Sequence, residues 1–235
     1  MIKECPCFMT IYNSYTWADK MLADLKRMRF TPVLLDNGSD FGPCVDWLKK
    51  VSTHGQATVI SLNGNRGPHA YYSIPFALRS SWYAVCDSDL DLSDVPSDAI
   101  DKLESSFLAF PEIAKSALSL EIEDIPEESI WKKQVIDMET QYWNKENYVP
   151  EHDCFRTMTD STFFLTHADR NNILNANFYS SVRLNKPYTA RHIPWYADSS
   201  TWGPEDFQYM LRQRLTGVVW SARFQNRVNK DAGDE

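Results

Sequence analysis

Two carboxylates stand two residues apart in Cys86-Asp87-Ser88-Asp89, directly after the apolar, β-prone run Ser81-Trp82-Tyr83-Ala84-Val85. In extended backbone, residues i and i+2 point to the same side. Asp87 and Asp89 therefore face one point in space at the mouth of a strand. Converging carboxylates repel each other unless a cation lies between them. A divalent ion with hard oxygen ligands suits that place, and the phosphates of a substrate can complete its coordination.

The elements that must position this pair follow from periodicity. Strands are predicted over 7–12, 31–35, 57–62 and 82–86, alternating with helices over 16–27, 44–51 and 68–79, the last with Pro68 as its first residue. Strands alternating with helices at this spacing imply an α/β protein with a mostly parallel, two-sided sheet. Each predicted strand ends in groups that bind ligands: Tyr12-Asn13-Ser14, Asp36, Asn65-Arg66 and Asp87-Ser88-Asp89. Taken singly, each is also a turn sequence, Asp36-Asn37-Gly38-Ser39 above all. Together they aim polar groups at one rim, where open α/β sheets hold their ligands.

The second half is less regular. Helices are predicted over 96–110, 130–142 and 204–215, and strands over 114–122 and 160–165. The segment 188–196 carries Arg191, His192 and Trp195, and the acidic stretch 121–128 reads as a solvated loop and helix start. With no repeat and no linker, a single domain is expected over 1–225, with halves 1–92 and 93–225, followed by a frayed polar tail over 226–235.

The totals bound the answer. A chain of 235 residues with 43% hydrophobic and 24% charged content is an ordinary globular protein with room for a core. A formal charge of −8 argues against nucleic acid as the main partner. It leaves a phosphorylated small molecule open, since that needs only a metal or a local patch. The heavy aromatic content serves core packing, with some rings free to line a cleft. Five cysteines without framework spacing read as reduced thiols in a cytoplasmic setting, and Cys5-Pro6-Cys7 is too short to chelate zinc. No signal peptide and no membrane-length apolar run is evident.

As an ordered set, these residues resemble the GT-A glycosyltransferases, close to family 2 and to its small bacterial and viral members. Thr10-Ile11-Tyr12-Asn13 resembles the first-strand segment that holds the nucleotide. Leu34-Leu35-Asp36-Asn37-Gly38-Ser39 resembles the stretch whose aspartate contacts the base. Asn65-Arg66-Gly67-Pro68 resembles the segment after strand three, and Asp87-Ser88-Asp89 matches the Asp-x-Asp metal motif. The likeness covers roughly residues 8–92. Asp160-Ser161-Thr162-Phe163 and the run from Tyr188 to Tyr196 extend it. The clean Glu-Asp motif of family-2 enzymes is missing, and Glu205-Asp206 is only a loose echo.

The resemblance implies a nucleotide-binding half with a mostly parallel sheet, a smaller acceptor half with mixed strands, and metal-dependent sugar transfer from a nucleotide-diphosphate donor, a UDP-sugar first, to a glycan or glycoconjugate hydroxyl. Asp87, Asp89 and His192 are then ligands of Mn2+ or Mg2+. Thr10, Tyr12, Asp36, Arg66, His69, Asp87 and Ser88 line the donor, with Arg66 near a phosphate or beside Asp87. If the reaction inverts the anomeric centre, a carboxylate must deprotonate the acceptor. Asp160 comes first, with Glu121 and Asp206 as alternatives. If the centre is retained, Asp160 binds the sugar instead. The structural alternatives are a helix-cap or turn aspartate at 36, loop charge at 66, a core or surface histidine at 69, and a hydrogen-bonded or surface histidine at 192. A sugar-phosphate nucleotidyltransferase usually has a basic, Gly-rich first loop, which residues 12–19 lack. A non-catalytic nucleotide-sugar- or carbohydrate-binding module has no need of the two metal aspartates.

Overall fold

The computed structural model describes residues 2–67, 70–74, 81–129, 131–159, 162–170, 180–196 and 204–205. Its first half holds β1 (Cys5–Ile11), α1 (Thr16–Arg27), β2 (Phe30–Asp36), α2 (Gly42–Thr53), β3 (Thr58–Ser61) and β4 (Trp82–Cys86). These strands lie in the order β3-β2-β1-β4, all parallel. β1 is flanked on both sides, and Cys7, Phe8, Met9 and Ile11 are buried on both of its faces, as suits a mostly apolar strand covered on both sides. α1 buries Ala18, Met21, Leu22 and Leu25, and α2 buries Cys44, Trp47, Leu48 and Val51. Both sets have the i, i+3, i+4, i+7 spacing of a helix with one core face. Pro43 sits in the first turn of α2, where its missing N–H costs nothing.

The second half adds β5 (Leu90–Asp91), α3 (Ala99–Ala109), β6 (Lys115–Ala117), β7 (Ser119–Leu120), α4 (Lys132–Glu139), β8 (Tyr148–Val149), β9 (Cys154–Arg156), β10 (Phe163–His167), β11 (Ser181–Leu184) and β12 (Thr189–His192). The large sheet continues from β4 as β10-β6-β11-β9-β8, with β10 antiparallel to both of its neighbours. A small sheet has the order β5-β12-β7. The parallel first half and mixed second half agree with the expectation.

Several boundaries differ. The strand predicted over 114–122 breaks at Leu118, so that β6 joins the large sheet and β7 the small one. The helix predicted over 130–142 is α4 followed by a 3-10 turn, Thr140–Trp143. Within 68–79, the described residues form a 3-10 turn, Ala70–Ser73, instead of an α-helix. The strand predicted over 160–165 is β10, displaced toward the C-terminus. Of the helix predicted over 204–215 only Pro204 and Glu205 are described, and the tail over 226–235 lies outside the described residues. β5, β8, β9 and β11 were not predicted, being too short to show a period. All five cysteines are buried free thiols. Among the described residues, no helix is long and apolar enough to cross a membrane.

Candidate active site

The carboxyl end of β4 and the end of β12 meet at one point. The Asp87 N–H donates to the Thr162 carbonyl (3.0 Å), and the Ile193 N–H donates to the Asp89 carbonyl (2.9 Å). β12 pairs antiparallel with β5, placing His192 opposite Leu90. One ligand atom from each of Asp87, Asp89 and His192 lies within 4.8 Å of the others. His192 Nε2 is 3.4 Å from Asp89 Oδ1, a buried oxygen that accepts no hydrogen bond among the described residues. Leaving such an oxygen without a donor costs about 1–3 kcal/mol, a cost that a cation between these groups removes. Two carboxylates and an imidazole suit a first-row divalent ion. Trp195 packs edge-on to the His192 ring at 4.9 Å and limits its rotation. Ser88 is buried between the two aspartates.

The rim at the carboxyl ends of β1, β2 and β3 is built from buried amides. Asn13 has φ of +57° just past β1. Its Oδ1 accepts from the N–H groups of Asp40 and Phe41 (both 2.9 Å), and its Nδ2 donates to Asp40 Oδ1 (2.8 Å). Asn37 Oδ1 accepts from the Arg66 N–H (2.7 Å), while its Nδ2 donates to Asn65 Oδ1 and the Gly67 carbonyl (both 3.1 Å). The two asparagines thus tie together the loops after β1, β2 and β3. At Gly38 the loops touch: a Cβ there would stand 2.8 Å from the Gly64 Cα. Asp36 Oδ1 accepts from the Ser39 N–H (2.8 Å), and the second oxygen takes no bond among the described residues. The aspartate closes its own turn and still presents an acceptor. Thr10 and Tyr12 are half-buried at the end of β1.

Arg66 is engaged within its own loop. Its Nε donates to the Leu62 carbonyl (3.3 Å) within its own loop, and it pairs with no carboxylate among the described residues. His69, Asp160 and Asp206 lie outside the described residues. Glu121, an alternative base, accepts from Lys186 Nζ and from the N–H groups of Ile122 and Glu123. Glu205 caps α1, accepting from Ser14 Oγ (2.9 Å), Thr16 N–H (3.0 Å) and the Tyr15 N–H.

Sequence reasoning missed a set of three donors. Ser181 Oγ, Arg183 Nε and Lys115 Nζ donate to the successive carbonyls of Thr157 (2.7 Å), Met158 (2.8 Å) and Thr159 (3.5 Å). The available signal was a cation inside each of two apolar strand segments. Burial first, then a hydrogen bond and charge from Cys7, pushes the Cys86 thiol well above its usual range, and burial raises Cys44 and Cys154 to about 11.

No protein-family model matches this sequence, and no curated protein matches it. Among solved structures, GalNAc-T7 with UDP, GalNAc and Mn2+ superposes with a TM-score of 0.53 at 11% identity, covering 88% of this chain and 47% of that one. The mannosyltransferase PcManGT from Pyrobaculum calidifontis, in complex with GDP-Man and Mn2+, gives a TM-score of 0.46 at 11% identity over 97% of this chain and 79% of that one. Glucosyl-3-phosphoglycerate synthase from Mycobacterium tuberculosis, with Mg2+ and UDP, gives 0.46 at 9% identity over 81% and 71%. The likeness to GalNAc-T7 is one of fold.

Proposed function

The fold is that of the GT-A glycosyltransferases, and from it we propose that this chain transfers a sugar from a nucleotide-diphosphate donor, a UDP-sugar, to a hydroxyl of a glycan or glycoconjugate. The observation that carries the reading is the convergence of Asp87, Asp89 and His192 at the carboxyl ends of the sheet. These three residues would hold Mn2+ or Mg2+. When bound, such an ion neutralises the negative charge that builds on a departing diphosphate. GalNAc-T7, captured with UDP, GalNAc and Mn2+, supports the same donor chemistry.

The chain's own residues do the rest. The second Asp36 oxygen accepts the ring N–H of a uracil-type base. Thr10 and Tyr12 flank the nucleoside, and Ser88 donates from the backbone turn between the metal aspartates. Arg66 and His69 serve the phosphate side, Arg66 after leaving its contact with the Leu62 carbonyl. Asp160 takes the proton of the acceptor hydroxyl in an inverting reaction. Residues 1–225 act as one unit. Nucleotide sugars screened for thermal stabilisation with and without Mn2+ test the reading, because a ligand of the native state raises the melting point. A UDP-sugar that stabilises only with Mn2+ supports it. No response from any nucleotide sugar contradicts it.

A further inference from the structure

We propose that Arg191 is a positioning residue that locks the register in which His192, and not Arg191 itself, faces Asp87 and Asp89. The functional consequence rests on the metal reading above. β5 and β12 pair over only two positions, Arg191 with Asp91 and His192 with Leu90. So short a ladder specifies register weakly, and a slip of one residue turns every side chain to the other face. The pairs that β12 makes with β7, Thr189 with Ser119 and Ala190 with Leu120, hold its other edge and do not touch β5. The slipped state has a specific attraction: it would present a guanidinium to the two metal aspartates, where it would compete with the ion.

The outer face of β12 opposes that slip. Arg191 Nη1 donates to Asp94 Oδ2 (2.5 Å) and Nε to Asp124 Oδ2 (2.6 Å), with Asp91 Oδ2 at 3.9 Å. The loop of Asp94 is held from α1, and Asp124 is held by the segment that follows β12. Arg27 donates to the carbonyls of Leu92 (2.8 Å), Ser93 (3.4 Å) and Val95 (2.5 Å), on either side of Asp94. The Tyr196 hydroxyl donates to Asp124 Oδ1 (2.6 Å). Isolated surface ion pairs contribute little. Here one rigid fork bridges two anchored carboxylates, and a slip of about 3.4 Å, one strand residue, breaks both bridges at once.

The test titrates Mn2+ into the protein in the presence of excess UDP by calorimetry and follows amide exchange at Ile193, whose N–H bonds the Asp89 carbonyl. Arg191→Lys keeps the charge and loses the fork, and should weaken Mn2+ binding about 10–100-fold, the usual effect of removing a group that orients a metal ligand. Asp94→Asn with Asp124→Asn keeps Arg191 and should do the same. Both variants should speed exchange at Ile193 while Met9, in the core of β1, keeps its protection. If Arg191 acted through its charge alone, Arg191→Lys would bind Mn2+ normally and Arg191→Gln would bind it more tightly. Either result overturns the proposal, as does unchanged Ile193 exchange in both variants. If the unmodified protein binds no Mn2+ with UDP, the metal reading falls, while Ile193 exchange still decides whether Arg191 sets the register.

Discussion

His192 Nε2 stands 3.4 Å from Asp89 Oδ1, across a strand pair only two residues long. The imidazole is delivered by the second half of the chain to carboxylates that end the fourth strand of the first half. A metal site assembled this way forms only when both halves are folded and in register.

Base recognition is predicted to rest on Asp36. Asp36→Asn keeps an oxygen for the Ser39 N–H and replaces the second acceptor with a donor. It should weaken UDP binding by about 1–3 kcal/mol, the range for an unpaired buried hydrogen-bonding group, and reduce the preference for UDP over GDP. Competition binding of the two nucleotides measures this. Equal affinities in the unmodified protein would contradict the assignment.

Asp160 and His192 should separate by kinetics. Asp160→Asn removes a basic carboxylate with little change of shape. It is expected to lower transfer by about 10²–10⁴, the range for a lost general base, with donor affinity within a few-fold. His192→Ala should weaken Mn2+-dependent donor binding and slow both transfer and donor hydrolysis. Loss of donor affinity in Asp160→Asn would assign Asp160 to sugar binding and favour a retaining reaction.

The buried pair of Arg183 and Glu139, 2.8 Å apart with both side chains 3% exposed, predicts an asymmetry in stability. Glu139→Ala strands a guanidinium in the interior and should cost about 3–5 kcal/mol. Glu139→Leu combined with Arg183→Met should recover most of that. Urea midpoints decide it, and a Glu139→Ala midpoint equal to that of the unmodified protein would show that the pair is not coupled.

Asp153 gives a pH signature. The Asn185 side chain, and after the opposing effect of burial the Tyr148 hydroxyl, hold its carboxyl below the usual range. A folded pKa below the unfolded one gives stability that is present above the unfolded value, about 3.9, and is lost as pH falls toward the folded one. Asp153→Asn should therefore show a smaller drop in melting temperature between pH 6 and pH 3 than the unmodified protein. An equal drop would place the acid sensitivity elsewhere.

The sequence revealed the parts of this protein that depend on local pattern. The bounds of α1 and β4 were legible, because Met21, Leu22 and Leu25 at helical spacing and a five-residue apolar run each define their own burial, although Ala18 and not Trp17 completes the core face of α1. The Asp87–Asp89 pair was legible because strand geometry alone puts i and i+2 on one side. β5 and β8 were not, since two residues become a strand only through a distant partner. Glu205 read as a weak echo of a catalytic motif, yet in the structure it caps a helix some 190 residues away. The rim asparagines read as turn formers because their amide partners lie in other loops. Arg191 read as a neighbour of His192, and its three carboxylates were visible only once β12 was laid against β5.

A donor site built on Asp87 and Asp89 requires a metal held between them. That requirement is tested most directly by calorimetry of UDP binding with Mn2+ and with chelator, for the unmodified protein and for Asp87→Ala with Asp89→Ala. Both residues lie at a rim outside the apolar core, so the double variant should keep its melting transition. UDP should bind with Mn2+, and binding should be lost in chelator and in the double variant. UDP binding of undiminished affinity in chelator, or in a folded double variant, would contradict it.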